Sequence, residues 1–229
     1  MEVVMNGKTR KLIALLTGLV MILTMMLAAS SVAFADEDLP ESITALYYPK
    51  QKSSLETSNW FPLTSDVSFD VDMDKSTIDN PSMLAFKEED GYLYVILKKA
   101  GKTTIHLVAT PVGSSEAKTY DINVKVEKYV NPLKTFKIGK KNYAKKFKKD
   151  DFWMVDKKKV SGKLKLKAAK GWKIVSIQKQ IDSDLMTVTK IKNNKKVTLK
   201  RGQSIYVNCK NKKSGQKLRI VFHNMMVEG

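Results

Sequence analysis

The stretches that decide the fold are Gly101-Lys102-Thr103-Thr104-Ile105-His106-Leu107-Val108-Ala109 and Tyr120-Asp121-Ile122-Asn123-Val124-Lys125-Val126. Apolar side chains stand at every second position from Ile105 to Ala109 and from Tyr120 to Val126. This period of two is that of a β-strand with one face buried and the other in water. A polar loop separates the two stretches, so we predict a pair of neighbouring strands.

The same period recurs along the chain, both N-terminal and C-terminal to this pair. Further alternating or β-rich runs are Tyr92–Leu97, Lys163–Lys167, Ile205–Cys209 and Leu218–Phe222. Glycine, asparagine and serine turns separate them at short spacing. No window longer than a few residues has the period of an amphipathic helix. Many short strands without helices between them predict an all-β protein built of antiparallel sandwiches.

Charge divides the chain in two. Residues 36–129 hold ten Lys and sixteen Asp and Glu, a net charge of 10 − 16 = −6, whereas residues 130–229 hold twenty-eight Lys and Arg and six acids, a net charge of 28 − 6 = +22. The change occurs at Tyr129-Val130-Asn131-Pro132, and Asn-Pro favours a turn. We therefore predict an acidic domain over residues 36–129 and a lysine-rich domain over residues 130–229, joined by a short linker.

The acidic half resembles the group 2 family of bacterial immunoglobulin-like (Ig-like) domains over residues 79–126. The segments that carry the resemblance are Asp79–Phe86 with its Asn-Pro-Ser turn, Gly91–Leu93, Lys99–Ile105 and Tyr120–Val126. The usual glycine-led early strand is missing between Leu39 and Asp66. The lysine-rich half matches only loosely, through Gly202–Ile205 and its last hairpin.

This resemblance implies two tandem Ig-like antiparallel β-sandwiches, used as a spacer, an adhesive module or a wall- or sugar-binding unit. It implies no catalysis and supplies no functional residues. The hairpin after Gly202 is similar in order to that after Gly101, which suggests two versions of one sandwich.

The first 35 residues have the order of a secretory signal peptide. Lys8, Arg10 and Lys11 precede a run without ionisable side chains from Leu12 to Ala35, which ends in the small-x-small site Ala33-Phe34-Ala35. An uncleaved membrane anchor is the competing interpretation, because the run is long enough to span a bilayer. With cleavage, we expect a secreted or extracellular, cell-envelope-associated protein without a transmembrane anchor.

Enzyme chemistry has little support in the 194 residues left by removing 35 from 229. Cys209 is the single cysteine, which excludes an intramolecular disulfide, and its alternation with Ile205 and Val207 predicts a buried, inert thiol. So few cysteines in an exported protein are typical of Gram-positive bacteria. The two histidines, His106 and His223, give no zinc spacing or nucleophile pair. We predict no catalytic residues, no metal site and no cofactor.

One acidic run invites a calcium interpretation. Asp66, Asp70, Asp72 and Asp74 alternate, so a strand would place the last three on one face, where several carboxylates could hold a hard cation. The glycine and closing glutamate of a calcium loop are missing. A solvated strand face is the plainer interpretation.

Lysines carry the strongest functional signal. A positive field of this size attracts polyanions, and outside a bacterium the candidates are teichoic acid phosphates, anionic lipid headgroups, acidic glycans and released nucleic acid. Of these we predict an anionic cell-wall polymer or an acidic glycan as the partner. Arginine is nearly absent, which argues against sequence-specific nucleic-acid recognition. Heavy lysine use by a low-GC genome is the competing explanation. The predicted polyanion-binding residues are Lys140, Lys141, Lys145, Lys146, Lys148, Lys149, Lys157, Lys158, Lys159, Lys163, Lys165 and Lys167.

Tryptophans support a runner-up function, a carbohydrate-binding accessory or adhesin module. Trp60 and Trp153 lie in loop-like surroundings, where an exposed ring could stack on a sugar, whereas Trp172 is expected in the core. The acidic and basic halves could also dock on each other, which would leave less positive electrostatic field to attract an outside partner.

Overall fold

The computed structural model describes residues 39–65, 68–180 and 187–225, and the predicted signal peptide lies outside them. Nearly all regular structure in this part is β, with one 3₁₀ turn at Lys146–Lys148. No helix of the described residues is long and apolar enough to cross a bilayer.

The acidic half forms two sheets. Its strands are β1 (Ser42–Tyr47), β2 (Trp60–Ser65), β3 (Phe69–Val71), β4 (Thr77–Ile78), β5 (Leu84–Glu89), β6 (Tyr92–Leu97), β7 (Gly101–Pro111) and β8 (Lys118–Lys128). The larger sheet has the order β1-β8-β7-β3, with β4 also on β7, and the smaller has the order β2-β6-β5. All pairs are antiparallel except β1 with β8.

The basic half also forms two sheets. Its strands are β9 (Leu133–Ile138), β10 (Lys141–Asn142), β11 (Phe152–Val155), β12 (Lys159–Ala168), β13 (Trp172–Gln180), β14 (Val188–Lys190), β15 (Lys196–Lys200), β16 (Ser204–Asn211) and β17 (Lys217–Asn224). The sheets have the orders β10-β9-β12-β15 and β11-β17-β16-β13-β14. Again all pairs are antiparallel except the one between an early strand, β11, and the last strand, β17.

Strand order makes both halves Ig-like. In each, an early strand runs parallel to the last strand, and the last two strands form the central hairpin of the larger sheet. The alternation that predicted this hairpin is the cause: Ile105, Leu107, Ile122 and Val124 are buried in β7–β8. In β16–β17 the side chains of Ile205, Val207, Cys209, Leu218, Ile220 and Phe222 are buried in the same way. The all-β, sandwich-type prediction is confirmed.

Tyrosines and amides join the halves at their boundary, between the end of β8 at Lys128 and the start of β9 at Leu133. The Tyr129 hydroxyl oxygen lies 2.7 Å from the backbone oxygen of Phe147 and 2.9 Å from that of Asp150, so its one hydrogen can be donated to either of them. Gln51 Nε2 donates to Asp150 Oδ2 at 2.9 Å. Tyr48 packs on Tyr129 with ring centroids 4.9 Å apart, and both rings belong to the buried cluster of the basic half.

No ion pair between described residues crosses this junction, so the contacts seen there are not acid–lysine pairs. No sheet contains strands from both sides of it. The described residues from Ser42 onward nevertheless pack as one compact unit. The division into two domains at residue 129 stays a prediction.

The prediction of one acidic strand from Asp70 to Asp74 is wrong. Strand β3 ends at Val71, and the chain then turns. Asp72 Oδ1 accepts from the Lys75 backbone N–H at 3.1 Å, and Asp72 Oδ2 accepts from Lys75 Nζ at 2.7 Å. Because Asp72 closes a turn, the alternating carboxylates do not share a strand face. The fourth, Asp66, lies outside the described residues.

Candidate polyanion-binding surface

Strand β12 organises the basic surface because its alternate side chains have opposite environments. Val160, Leu164 and Leu166 are buried, whereas the lysines between them are exposed. On the flanking strands, β9 buries Phe136 and Ile138, and β15 buries Val197 and Leu199. The lysines that alternate with these buried residues therefore point away from the core on the same side. We call this set the lysine face: Lys137, Lys159, Lys163, Lys165, Lys167, Lys196 and Lys200.

Lysines stand directly opposite lysines across the strands of this face. Lys159 pairs with Lys200 and Lys163 pairs with Lys196 between β12 and β15. Lys165 pairs with Lys137 between β12 and β9. Like charges directly opposite each other destabilise a sheet, so this register opposes folding and concentrates positive potential.

Acids do not neutralise the lysine face within the described part of the chain. None occurs on β9, β10, β12 or β15. Of the basic half's described carboxylates, Asp156 pairs with Arg201 at 3.3 Å, Asp150 accepts from Gln51, and Asp151 lies next to Asp150. No ion pair among described residues involves a lysine of this face.

The structure brings together only part of the predicted lysine set. Lys159, Lys163, Lys165 and Lys167 lie on the face. The exposed pair Lys140 and Lys141 lies beside it on the β9–β10 turn, where Gly139 N–H donates to the Lys163 carbonyl at 3.0 Å.

That close approach depends on glycine. A Cβ added to Gly162, which has a φ of 151°, would lie 2.5 Å from the Gly139 backbone. Glycine at residue 162 therefore lets the turn that carries Lys140 and Lys141 pack against β12.

The remaining predicted lysines lie outside strands β9, β12 and β15. Lys145, Lys146, Lys148 and Lys149 are exposed and flank the buried Phe147 in sequence, in and around the 3₁₀ turn. Lys157 and Lys158 are exposed between β11 and β12. Their role in polyanion binding stays a prediction.

Sequence reasoning missed three members of the face, Lys137, Lys196 and Lys200. A signal for two of them was present, because Lys196-Val197-Thr198-Leu199-Lys200 alternates in the same way as β12. What the sequence does not contain is the register that places this segment beside Lys159–Lys163.

The tryptophans have three different environments. Trp172 is buried in the core, as expected. Trp153 is half-buried against the core cluster, with Lys146 Nζ 4.4 Å from its ring centroid. Trp60 meets Tyr94 edge to face on the outer side of the smaller sheet of the acidic half, and Tyr94 lies 5.9 Å from Tyr92, which is 48% exposed. Sugar stacking on Trp60 and Trp153 stays a prediction, and the two rings lie in different halves.

The cysteine and the two histidines are either buried or in contact with neighbouring side chains. Burial raises the pKa of the Cys209 thiol to about 12, so the thiol stays protonated at neutral pH. His106 Nδ1 lies 2.6 Å from Asp121 and its Nε2 lies 2.9 Å from Asp79. These two carboxylates raise the pKa of His106. Burial lowers the pKa of His223, whose Nδ1 lies 2.8 Å from Ser204 Oγ. Among the described residues, no group of three or more His, Cys, Asp and Glu could hold a metal ion.

No protein-family model matches the chain, and no curated protein matches it. Among solved structures, a chimeric titin Z1Z2-Z1Z2 tandem is 10% identical with a TM-score of 0.23, and the match covers 83% of this chain and 97% of that one. The D00-D0 domain of intimin is 11% identical with a TM-score of 0.25, covering 82% and 98%. A structure of Dscam1 isoform 1.9, four N-terminal Ig domains, is 7% identical with a TM-score of 0.26, covering 83% of this chain and 52% of that one. Because these scores are low, the Ig-like assignment rests on the strand order.

Proposed function

We propose that this chain is a non-catalytic, secreted Ig-like module whose basic half attaches it to anionic polymers of a Gram-positive cell envelope. The observation that carries the proposal is the lysine face, where seven lysines meet no carboxylate of the described chain. Lysine ammonium groups are strongly hydrated point charges, suited to loose electrostatic attachment rather than to geometry-demanding recognition. The acidic half, which resembles bacterial Ig-like domains of group 2, would serve as a spacer or contact a second partner.

Secretion is the premise that makes this partner accessible. The basic start, apolar run and small-x-small site of residues 1–35 support export, and export delivers the chain to the polyanions of the wall. A cell wall bears many repeated negative charges, so even weak contacts to each charge add up along the polymer.

A salt series on purified Gram-positive cell walls tests this proposal. We expect the protein to sediment with the walls at low ionic strength and to be released as salt screens the charges. Walls stripped of their phosphate polymers serve as the matched control and should retain less protein. Absence of sedimentation at low salt, or retention that high salt leaves unchanged, would contradict electrostatic attachment.

A carbohydrate-binding or adhesin function is the second candidate, favoured by one surface of the acidic half. Trp60, Tyr94 and Tyr92 form a row on the outer side of β2 and β6, and Tyr92 is exposed enough to stack on a sugar ring. Screening on neutral glycans at high salt separates this candidate from the first. Binding that persists at high salt and is abolished by Tyr92→Ala would support it, and an absence of neutral-glycan binding would oppose it.

A further inference from the structure

We propose that the lysine face binds one linear polymer with regularly repeated phosphodiester groups, laid along β12. This inference rests on the proposed function, and it names the binding surface and the chemical class of the ligand. The face offers a periodic charge pattern rather than a pocket, so its natural complement is a chain with periodic charges.

Spacing along β12 is the first reason. Lys163, Lys165 and Lys167 are alternate residues of one strand, all exposed on one side. Alternate residues of a strand are about 6.7 Å apart, so these three ammonium groups form an evenly spaced row. A small anion contacts one or two of them, whereas an extended polyanion can contact all three at once.

Charges on the flanking strands extend this row on both sides. Lys196 and Lys200 lie across from the first part of β12, and Lys137 lies across from the second part. Neighbouring strands are about 4.8 Å apart, so each lysine opposite β12 can reach the same polymer. Binding a negative chain between the opposed lysines relieves the like-charge repulsion that the register creates.

Hydroxyl groups at the remaining outward positions favour phosphate. Ser161 alternates with Lys159 and Lys163 on β12, and Thr198 stands opposite it on β15. Ser161 Oγ and Thr198 Oγ1 are 2.9 Å apart, and Ser161 Oγ also donates to the Val197 carbonyl at 3.2 Å, so the Thr198 hydroxyl is the one that can donate to an anionic oxygen. A phosphodiester keeps its charge throughout the physiological pH range and shares that charge between two non-bridging oxygens. In a glycan with one carboxylate in each disaccharide, the charges are two sugars apart, which matches successive lysines less well.

Two triple variants with the same loss of charge distinguish binding at this surface from binding by the overall positive charge of the protein. The first, K163Q/K165Q/K167Q, changes the row on β12. The control, K173Q/K212Q/K213Q, removes three lysines from the opposite sheet of the same half and its hairpin turn. The full chain is titrated with linear poly(glycerol phosphate) over a salt series, with hyaluronate, which has one carboxylate per disaccharide, as a second probe. Thermal melts verify that both variants fold.

We expect the first triple to weaken poly(glycerol phosphate) binding at least tenfold and the control to weaken it less than threefold. The slope of log affinity against log salt should fall by about one for each lysine that no longer neutralises a phosphate. Equal weakening by both triples would overturn the assigned surface while leaving the proposed electrostatic function intact. Equal affinity of the wild type for hyaluronate would overturn the preference for phosphate. If the wild type binds neither poly(glycerol phosphate) nor cell walls, the proposed function itself fails.

Discussion

The two halves of this protein share a parallel pair of an early strand with the last strand and a central hairpin of the last two strands, but they have opposite surfaces. In the acidic half, acids hold several of the exposed cations: His106 lies between Asp79 and Asp121, and Lys125, which stands opposite Lys102, pairs with Glu127. In the basic half, lysines stand opposite lysines on β9, β12 and β15. The side chains that face inward therefore determine the sandwich, whereas those that face outward can differ between the halves and take on a function.

The largest expected effect tests whether the two halves fold as separate domains. Phe222→Ala removes a fully buried ring whose centroid lies 5.5 Å from that of Phe136, and it should cost about 3–5 kcal/mol of unfolding free energy. Hydrogen exchange should report this loss in the basic half, while Leu107→Ala should act mainly on the acidic half. Exposed Val175→Ala is the control. A uniform loss across both halves from either variant would contradict two separate domains.

A smaller effect concerns the junction. Tyr129→Phe removes the hydroxyl that donates to the backbone of the basic half, and leaving the buried Phe147 carbonyl without this partner costs about 1–3 kcal/mol. Urea denaturation should show this loss, whereas Tyr92→Phe, on an exposed ring, should change little. Equal midpoints for the two variants would show that the Tyr129 hydrogen bonds do not hold the halves together.

The next prediction concerns the pH dependence of stability at the junction. Burial and the neighbouring Asp150 raise the pKa of Asp151 well above its ordinary value of 3.8, so the folded protein holds this proton more tightly than the unfolded chain does. The resulting stability is fully present below the unfolded pKa and is lost as pH rises through the folded pKa. Asp151→Asn should therefore raise the melting temperature at pH 8 more than at pH 4, as followed by circular dichroism. A larger gain at pH 4 would contradict a raised pKa.

The two histidines should respond to pH in opposite directions. The raised pKa of His106 gives stability that is present below the ordinary value of 6.5 and lost as pH rises through the folded pKa. The lowered pKa of His223 gives stability that is present above 6.5 and lost as pH falls through the folded pKa. NMR titration of the two imidazoles measures both values directly. We expect His106 to titrate above free histidine and His223 below it, and the reverse order would invalidate the contrast.

The smallest expected effect comes from a substitution that introduces into the basic half the kind of charge pairing seen in the acidic half. Lys196→Glu places an acid directly opposite Lys163, which should stabilise the sheet by about 0.5 kcal/mol and weaken polyanion binding. Lys213→Glu, on the turn after β16, is the control of equal charge change. A thermal melt and a wall-binding assay on both variants measure the two effects, and unchanged wall binding by Lys196→Glu would count against the lysine face.

Much of the fold was predictable because alternation is a local property. The hairpins β7–β8 and β16–β17 follow from buried side chains at every second position, such as Ile105 and Ile205. Strands β1 and β2 were not predicted, because Ser42–Tyr47 and Trp60–Ser65 alternate only weakly between buried and exposed positions. The strand predicted from Asp70 to Asp74 failed because Asp72 accepts hydrogen bonds within its own turn, a local competition that periodicity does not register.

From the sequence alone follow the β-strands of the described part of the chain, the division of charge at residue 129 and the common side of the lysines of β12, since each depends on composition or on neighbours two residues apart. Which lysines of different strands lie next to each other follows only from the folded structure. Lys137 and Lys165 are far apart in the chain, and so are Lys163 and Lys196, and they become neighbours through strand register. Register is fixed by packing the buried faces of distant strands together, and no local pattern in the sequence specifies it.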